Sequence, residues 1–133
     1  MSSNIFAVQQ AVYAALISSA ALNALVNGRI YDEVPVAEPA YPYLSIGETI
    51  INRFDTKDWV GWDIEMTLHI WSRYRGKKET EQISAAVEDA LHRQTLNVSG
   101  GSFVRMDVIQ RMSFEDSDGL TRHGVVRLKI ISQ

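Results

Sequence analysis

Residues 62–94 read WDIEMTLHIWSRYRGKKETEQISAAVEDALHRQ, and within them the hydrophobic period changes from two to that of a helix. Trp62, Ile64, Met66, Leu68 and Ile70 alternate with Asp63, Glu65, Thr67, His69 and Trp71, the pattern of a half-buried strand. Ile83, Ala86, Val87, Ala90 and Leu91 then recur at helical spacing, so one helix face is apolar. Between the two lies Arg73-Tyr74-Arg75-Gly76-Lys77-Lys78, the one basic cluster that invites a functional reading.

Toward the N-terminus, residues 4–18 read as a helix with a stripe of Ile5, Val8, Val12, Ala15 and Leu16. Ser18 or Ser19 is placed to cap a second helix, Ala20 to Val26, which Asn27-Gly28 ends. Arg29 to Asp32 reads as a short extended piece, and Pro35, Pro39 and Pro42 stiffen residues 33–42. Tyr43 to Glu48 reads as a strand with Leu44 and Ile46 inward. Residues 49–61 then form a long polar connection in which Phe54 and Trp59 stand out as large apolar side chains.

Past the helix, Val98-Ser99-Gly100-Gly101-Ser102 is a turn. Phe103 to Phe114 alternates, with Val104, Met106, Val108, Met112 and Phe114 expected inward and Arg105, Asp107 and Arg111 outward. Asp116-Ser117-Asp118-Gly119 carries a hairpin signal, and Leu120 to Ile131 returns with Val126, Leu128 and Ile130 inward. The order is α-α-β-β-α-β-β. It predicts an α+β fold in one domain spanning 1–133, with a mainly antiparallel four-stranded sheet and helices packed on one face.

Composition narrows the chemistry. The 133 residues suffice for one core without staples, and a net charge of −3 speaks against a dedicated nucleic-acid binder. No cysteine is present, so disulfides and thiolate chemistry are excluded. No secretory signal is visible at the N-terminus, Asn97-Val98-Ser99 is a chance sequon, and no apolar run approaches a bilayer span. His69, His92 and His123 lack metal-site spacing, and no serine sits in a nucleophile elbow. Asp116-x-Asp118-Gly119 resembles part of a calcium loop, but Arg127 stands where the bidentate Glu belongs. Neither an enzyme nor a cofactor is expected.

The sheet face left without helices carries Asp63, Glu65, Thr67 and His69 on one strand and Arg105, Asp107, Arg111, Arg127 and Lys129 on the last two. Trp71, Phe103, Ile109 and Val125 share it by parity. If these strands are adjacent their charges pair across them; if not, the two-signed surface suits a neighbouring subunit, and the alternative to an interface is an ordinary solvated sheet face. Phe54, Asp55, Lys57, Asp58 and Trp59 of the loop and Arg73 and Arg75 of the basic turn complete the candidate interface or channel-lining set. The competing reading is a small nucleic-acid-binding module that uses the turn at 73–78, with Tyr74 stacking on bases.

Pieces spread along the chain resemble one family: Ala20-Ala21-Leu22-x-Ala24-Leu25-Val26-x-Gly28-Arg29-Ile30-Tyr31-Asp32-x-Val34-Pro35, Pro42-Tyr43-Leu44-x-Ile46-Gly47-Glu48, Thr67-Leu68-His69-Ile70-Trp71-Ser72-Arg73 with Gly76 and Glu79, and Asp118-Gly119-x-Thr121-Arg122-His123-Gly124-Val125. They are similar to the tail-completion or tail-terminator proteins of long-tailed bacteriophages, prophages and gene transfer agents. The resemblance implies a subunit of a ring, typically a hexamer, at the head-proximal end of the virion tail, assembled in the bacterial cytoplasm. Its implied partners are other copies of itself, the tail tube protein and a head-completion or connector protein. DNA would only pass through, and no membrane, metal or cofactor is implied. Gly28, Pro42 and Gly119 look structural. A globule of this length is about 36 Å across, so six in a ring leave a hole of about the same width, enough for duplex DNA.

Overall fold

The computed structural model describes residues 5–37, 39–58, 60–96 and 103–132. Three helices, α1 (Ile5–Ile17), α2 (Ala20–Val26) and α3 (Lys78–Leu91), lie against one face of a sheet. The strands are β1 (Ile30–Tyr31), β2 (Tyr43–Arg53), β3 (Trp62–Ser72), β4 (Phe103–Glu115) and β5 (Arg122–Ser132), in spatial order β1-β2-β3-β5-β4. The α+β class and the one-sided helix layer agree with the sequence. The strand count does not: the described residues form five strands, and the sheet is mixed because β1 pairs in parallel with Leu44 and Ser45 of β2. The other three pairings are antiparallel.

Local chemistry accounts for the boundaries. The Ser19 hydroxyl accepts from the Leu22 N–H and caps α2, and Asn27 and Gly28 then both take positive φ. Arg29 donates to the carbonyls of Tyr41 and Pro42, which fixes the proline loop beside the start of β2. Glu79 and Glu81 occupy the first turn of α3, where the helix dipole favours carboxylates. In the β4–β5 loop the Asp118 carboxylate accepts from the Leu120 and Thr121 N–H groups and the Thr121 hydroxyl. Those bonds hold its pKa down at about 2.

The core lies between the sheet and the helices. Ile64, Met66, Leu68 and Ile70 of β3 and Val126, Leu128 and Ile130 of β5 meet Ile83, Val87 and Leu91 of α3, and Val8, Val12 and Leu16 of α1 close the layer. The alternation read in β3 and β5 is therefore the true one. Two other readings change. β2 runs on to Arg53, so the connection shortens to 54–61, closed by the Phe54 N–H donating to the Gly61 carbonyl at 2.8 Å. And β4 carries a register shift between Val108 and Gln110.

That irregularity reverses the side-chain parity of β4. Met106 and Val108 lie over Ile130 and Leu128, on the core side. Beyond Ile109 it is Arg111 and Ser113 that stand opposite Val126 and Gly124, while Met112 and Phe114 pair with Val125 and His123 on the other face. An extra residue in one strand does this to everything after it. Met112 and Phe114 are thus exposed rather than inward, and Arg111 is not on the helix-free face. Its guanidinium instead reaches Glu81 at 3.0 Å and Glu88 at 3.5 Å on α3. Trp59, the expected turn at 98–102 and the sequon fall outside the described residues, as do the side chains of Ile5, Phe103 and Val104.

Candidate functional site

The helix-free face divides into an aromatic half and a charged half. Register places Tyr43, Trp71, His123 and Phe114 side by side across β2, β3, β5 and β4. Their rings form a continuous row: Tyr43 to Trp71 at 6.4 Å, Trp71 stacked on His123 at 4.0 Å, and His123 to Phe114 at 4.8 Å between centroids. Tyr41 and Tyr31 extend the row past Tyr43, at 5.2 and 5.8 Å. Phe114 belongs to it only because of the β4 irregularity. Tyr43 is buried, Trp71 and His123 are partly exposed and Phe114 is exposed, so the β3–β5–β4 end of the row concentrates apolar area at the surface.

Beside the row runs a polar chain. His69 Nε2 lies 2.8 Å from Glu48 Oε1, and His69 Nδ1 lies 2.7 Å from His123 Nε2. The contact between the rings holds one proton, since one nitrogen donates and the other accepts. Burial holds the His123 imidazole below the ordinary histidine range, and the neighbouring His69 acts in the same direction. The hydrogen bond from His69 lowers the Glu48 pKa. Gly47 makes room for this geometry: a Cβ there would sit 2.5 Å from the His69 ring.

The charged half occupies the other end of the same strands. Lys129 meets Asp63 at 3.2 Å across β5 and β3. Asp107 accepts from Arg105 at 2.8 Å and from Arg93 at 3.1 Å, and the Arg105 contact above all lowers its pKa. The acidic strand and the basic hairpin are adjacent, so much of this charge is paired within the chain. Asp63 Oδ1 is a buried oxygen that accepts no hydrogen bond among the described residues.

The family of tail completion protein gp17 matches residues 10–133. A curated relative, "Tail completion protein gp17" of Bacillus phage SPP1, is 32% identical over 123 residues, covering 92% of this chain and 90% of its own. The chain belongs to the tail completion protein gp17 family. Membership makes it a structural tail component and not an enzyme. Among solved structures, a chain of the "Virion of native gene transfer agent (GTA) particle" superposes with a TM-score of 0.92 at 25% identity, covering 99% of this chain and 98% of that one. "Structure of bacteriophage SPP1 gp17 protein" gives 0.64 at 30% identity, covering 93% and 87%.

The residues read as an interface from sequence are dispersed in this family member. Asp63, Glu65, Arg105, Arg127 and Lys129 share the helix-free face. Phe54, Asp55, Lys57 and Asp58 lie at the distal tip of the β2–β3 hairpin, where Arg53 pairs with Asp55 at 3.0 Å and Ile50, Ile51, Phe54 and Val60 are exposed. Arg75 is exposed in the β3–α3 turn. Arg73 in the same turn lies over the Tyr41 ring at 4.3 Å and approaches the Thr121 hydroxyl. The row of Tyr43, Trp71, His123 and Phe114 escaped the sequence reading as a unit. Its signal was register: the four residues come from four strands and are neighbours only once the pairings are known.

Proposed function

We propose that this chain is a virion protein that forms a ring, typically of six copies, on the head-proximal end of the tail tube, where it ends tube elongation and provides the surface that joins tail to head. It is assembled in the bacterial cytoplasm. The tail tube protein and a head-side connector are its outer partners, and DNA passes through the ring without being gripped. The helix-free sheet face is the contact with the next copy. The observation that carries this reading is the aromatic row across four strands: Tyr43 is already buried within the chain, but Trp71 and His123 are partly exposed and Phe114 is exposed, and a neighbouring subunit would cover these three. The backbone also follows the virion chain more closely than the SPP1 protein, despite lower identity.

A nucleic-acid module at 73–78 is disfavoured. Arg73 is already engaged with Tyr41 and Thr121, and the chain is net acidic. The test is complementation. Cells lacking the gene should yield tail tubes of unregulated length and heads without tails, and adding the purified chain should restore length and joining. Tubes of normal length joined to heads in its absence would overturn the proposal.

A further inference from the structure

The helix α1, IFAVQQAVYAALI, contains no charged residue. Val8, Val12 and Leu16 on its inner side are fully buried, yet Phe6, Tyr13 and Ile17 on the outer side are 68%, 37% and 45% exposed. A surface helix normally turns charged residues to water, whereas the outer side of α1 sets Gln9 and Gln10 beside these apolar side chains, with Gln9 donating to Asp32. Beside it β1 stops after two residues and leaves a groove of about 520 Å³, lined among others by Phe6, Tyr13, Tyr31, Asp32, Glu33 and Ile46. The described residues that line it include two carboxylates and no cation.

At the far edge of the sheet the chemistry is the converse. Met112 and Phe114 of β4 are exposed, and Arg127 lies beside them opposite Gln110, while Arg105, further along the same face, is paired with Asp107. One patch is apolar with an acidic rim and the other apolar with the cation Arg127 beside it. They sit on opposite edges of the sheet and on opposite layers, the first on the helix side and the second on the helix-free side. Two different patches that fit each other make a head-to-tail contact, the kind that closes rings.

We propose that the outer side of α1 and its groove receive the β4 edge of a second copy of this chain, with Met112 and Phe114 against Phe6 and Tyr13, and Asp32 and Glu33 facing Arg127. This rests on the ring reading and adds to it the surface that meets the helix-free face. The absence of native cysteine makes the test direct. Gln10→Cys and Gln110→Cys place thiols at exposed positions of the two patches, and a disulfide traps even a brief contact if the two Cα atoms come within about 7 Å.

Oxidation of the concentrated full chain carrying both substitutions should give a ladder of covalent multimers. A mixture of the two single variants should give dimers only. Dimers from Gln10→Cys alone, or no cross-link from the double variant, would overturn the inference. Tyr13→Asp in the double variant should abolish the ladder with the thermal midpoint unchanged, and an undiminished ladder would count against the contact. The ring reading is scored separately by tail length on complementation with cysteine-free chain. A failed ladder with normal tails therefore rejects this contact alone, whereas unregulated tails reject the ring.

Discussion

Gly47→Ala should be among the more damaging single-methyl additions in this chain. Its Cβ would meet His69 Cδ2 and Nε2 at 2.5 Å and the Thr67 carbonyl oxygen at 3.0 Å. The carbonyl gives by a few tenths of an ångström; the ring must swing away. Swinging breaks the contacts to Glu48 at 2.8 Å and His123 at 2.7 Å. Overpacking of this kind costs about 1–3 kcal/mol and each lost hydrogen bond roughly 0.5–1.5, the Glu48 bond at the low end because that side chain is exposed. The sum is about 2–5 kcal/mol, a fall of roughly 10 °C in thermal midpoint for a domain of this size. The assay is a double-mutant cycle by urea unfolding. In a His69→Ala background Gly47→Ala should cost less than about 1 kcal/mol, because the obstructing ring is gone. An equal cost in both backgrounds would refute the reasoning and place the strain in the backbone of β2.

Other outcomes follow from the same geometry. Arg111→Ala should cost about 0.5–1 kcal/mol in urea unfolding, since its two carboxylate partners on α3 are partly exposed, whereas Arg127→Ala should change stability by less than about 0.5. Leu68→Ala, fully buried between sheet and helices, should cost about 2–5 kcal/mol. Acidification should weaken the fold. The His123 pKa is depressed, so its contribution is present above the ordinary value of 6.5 and is lost as pH falls toward its folded value. Glu48, also depressed, adds a second loss below 4.5. His123→Phe should flatten the upper part of that profile, measured as thermal midpoint against pH, and an unchanged slope between pH 7 and 5 would contradict the assignment.

How much of this was legible in the sequence varies strand by strand. β3, β5 and α3 were readable because each buries one face and their apolar residues keep strict time. β1 was visible only as an extended scrap, since two residues carry no periodicity and its parallel pairing depends on where Arg29 ties the proline loop. The end of β2 was hidden by its polar residues Asn52 and Arg53, although Thr49-Ile50-Ile51 is a β-branched run. In β4 the warning was present: Gln110 is a polar residue on the apolar parity, next to apolar Ile109 on the polar one. Reading through that break sent Met112 and Phe114 inward and Arg111 outward. The same break hid the aromatic row, whose last member depends on it. Asp63, Glu65, Arg105, Arg127 and Lys129 fall on the helix-free face as their parity indicated, whereas the aromatic row on that face required the register.

Cryo-electron microscopy of tails purified from cells in which this chain supplies the tail-completion function tests the account most directly. It predicts density for six copies closed into one ring at the head-proximal end, with the Trp71, His123 and Phe114 rings of each covered by its neighbour. Copies spread along the tube, copies at the distal end, or a ring that leaves those side chains facing solvent would contradict it.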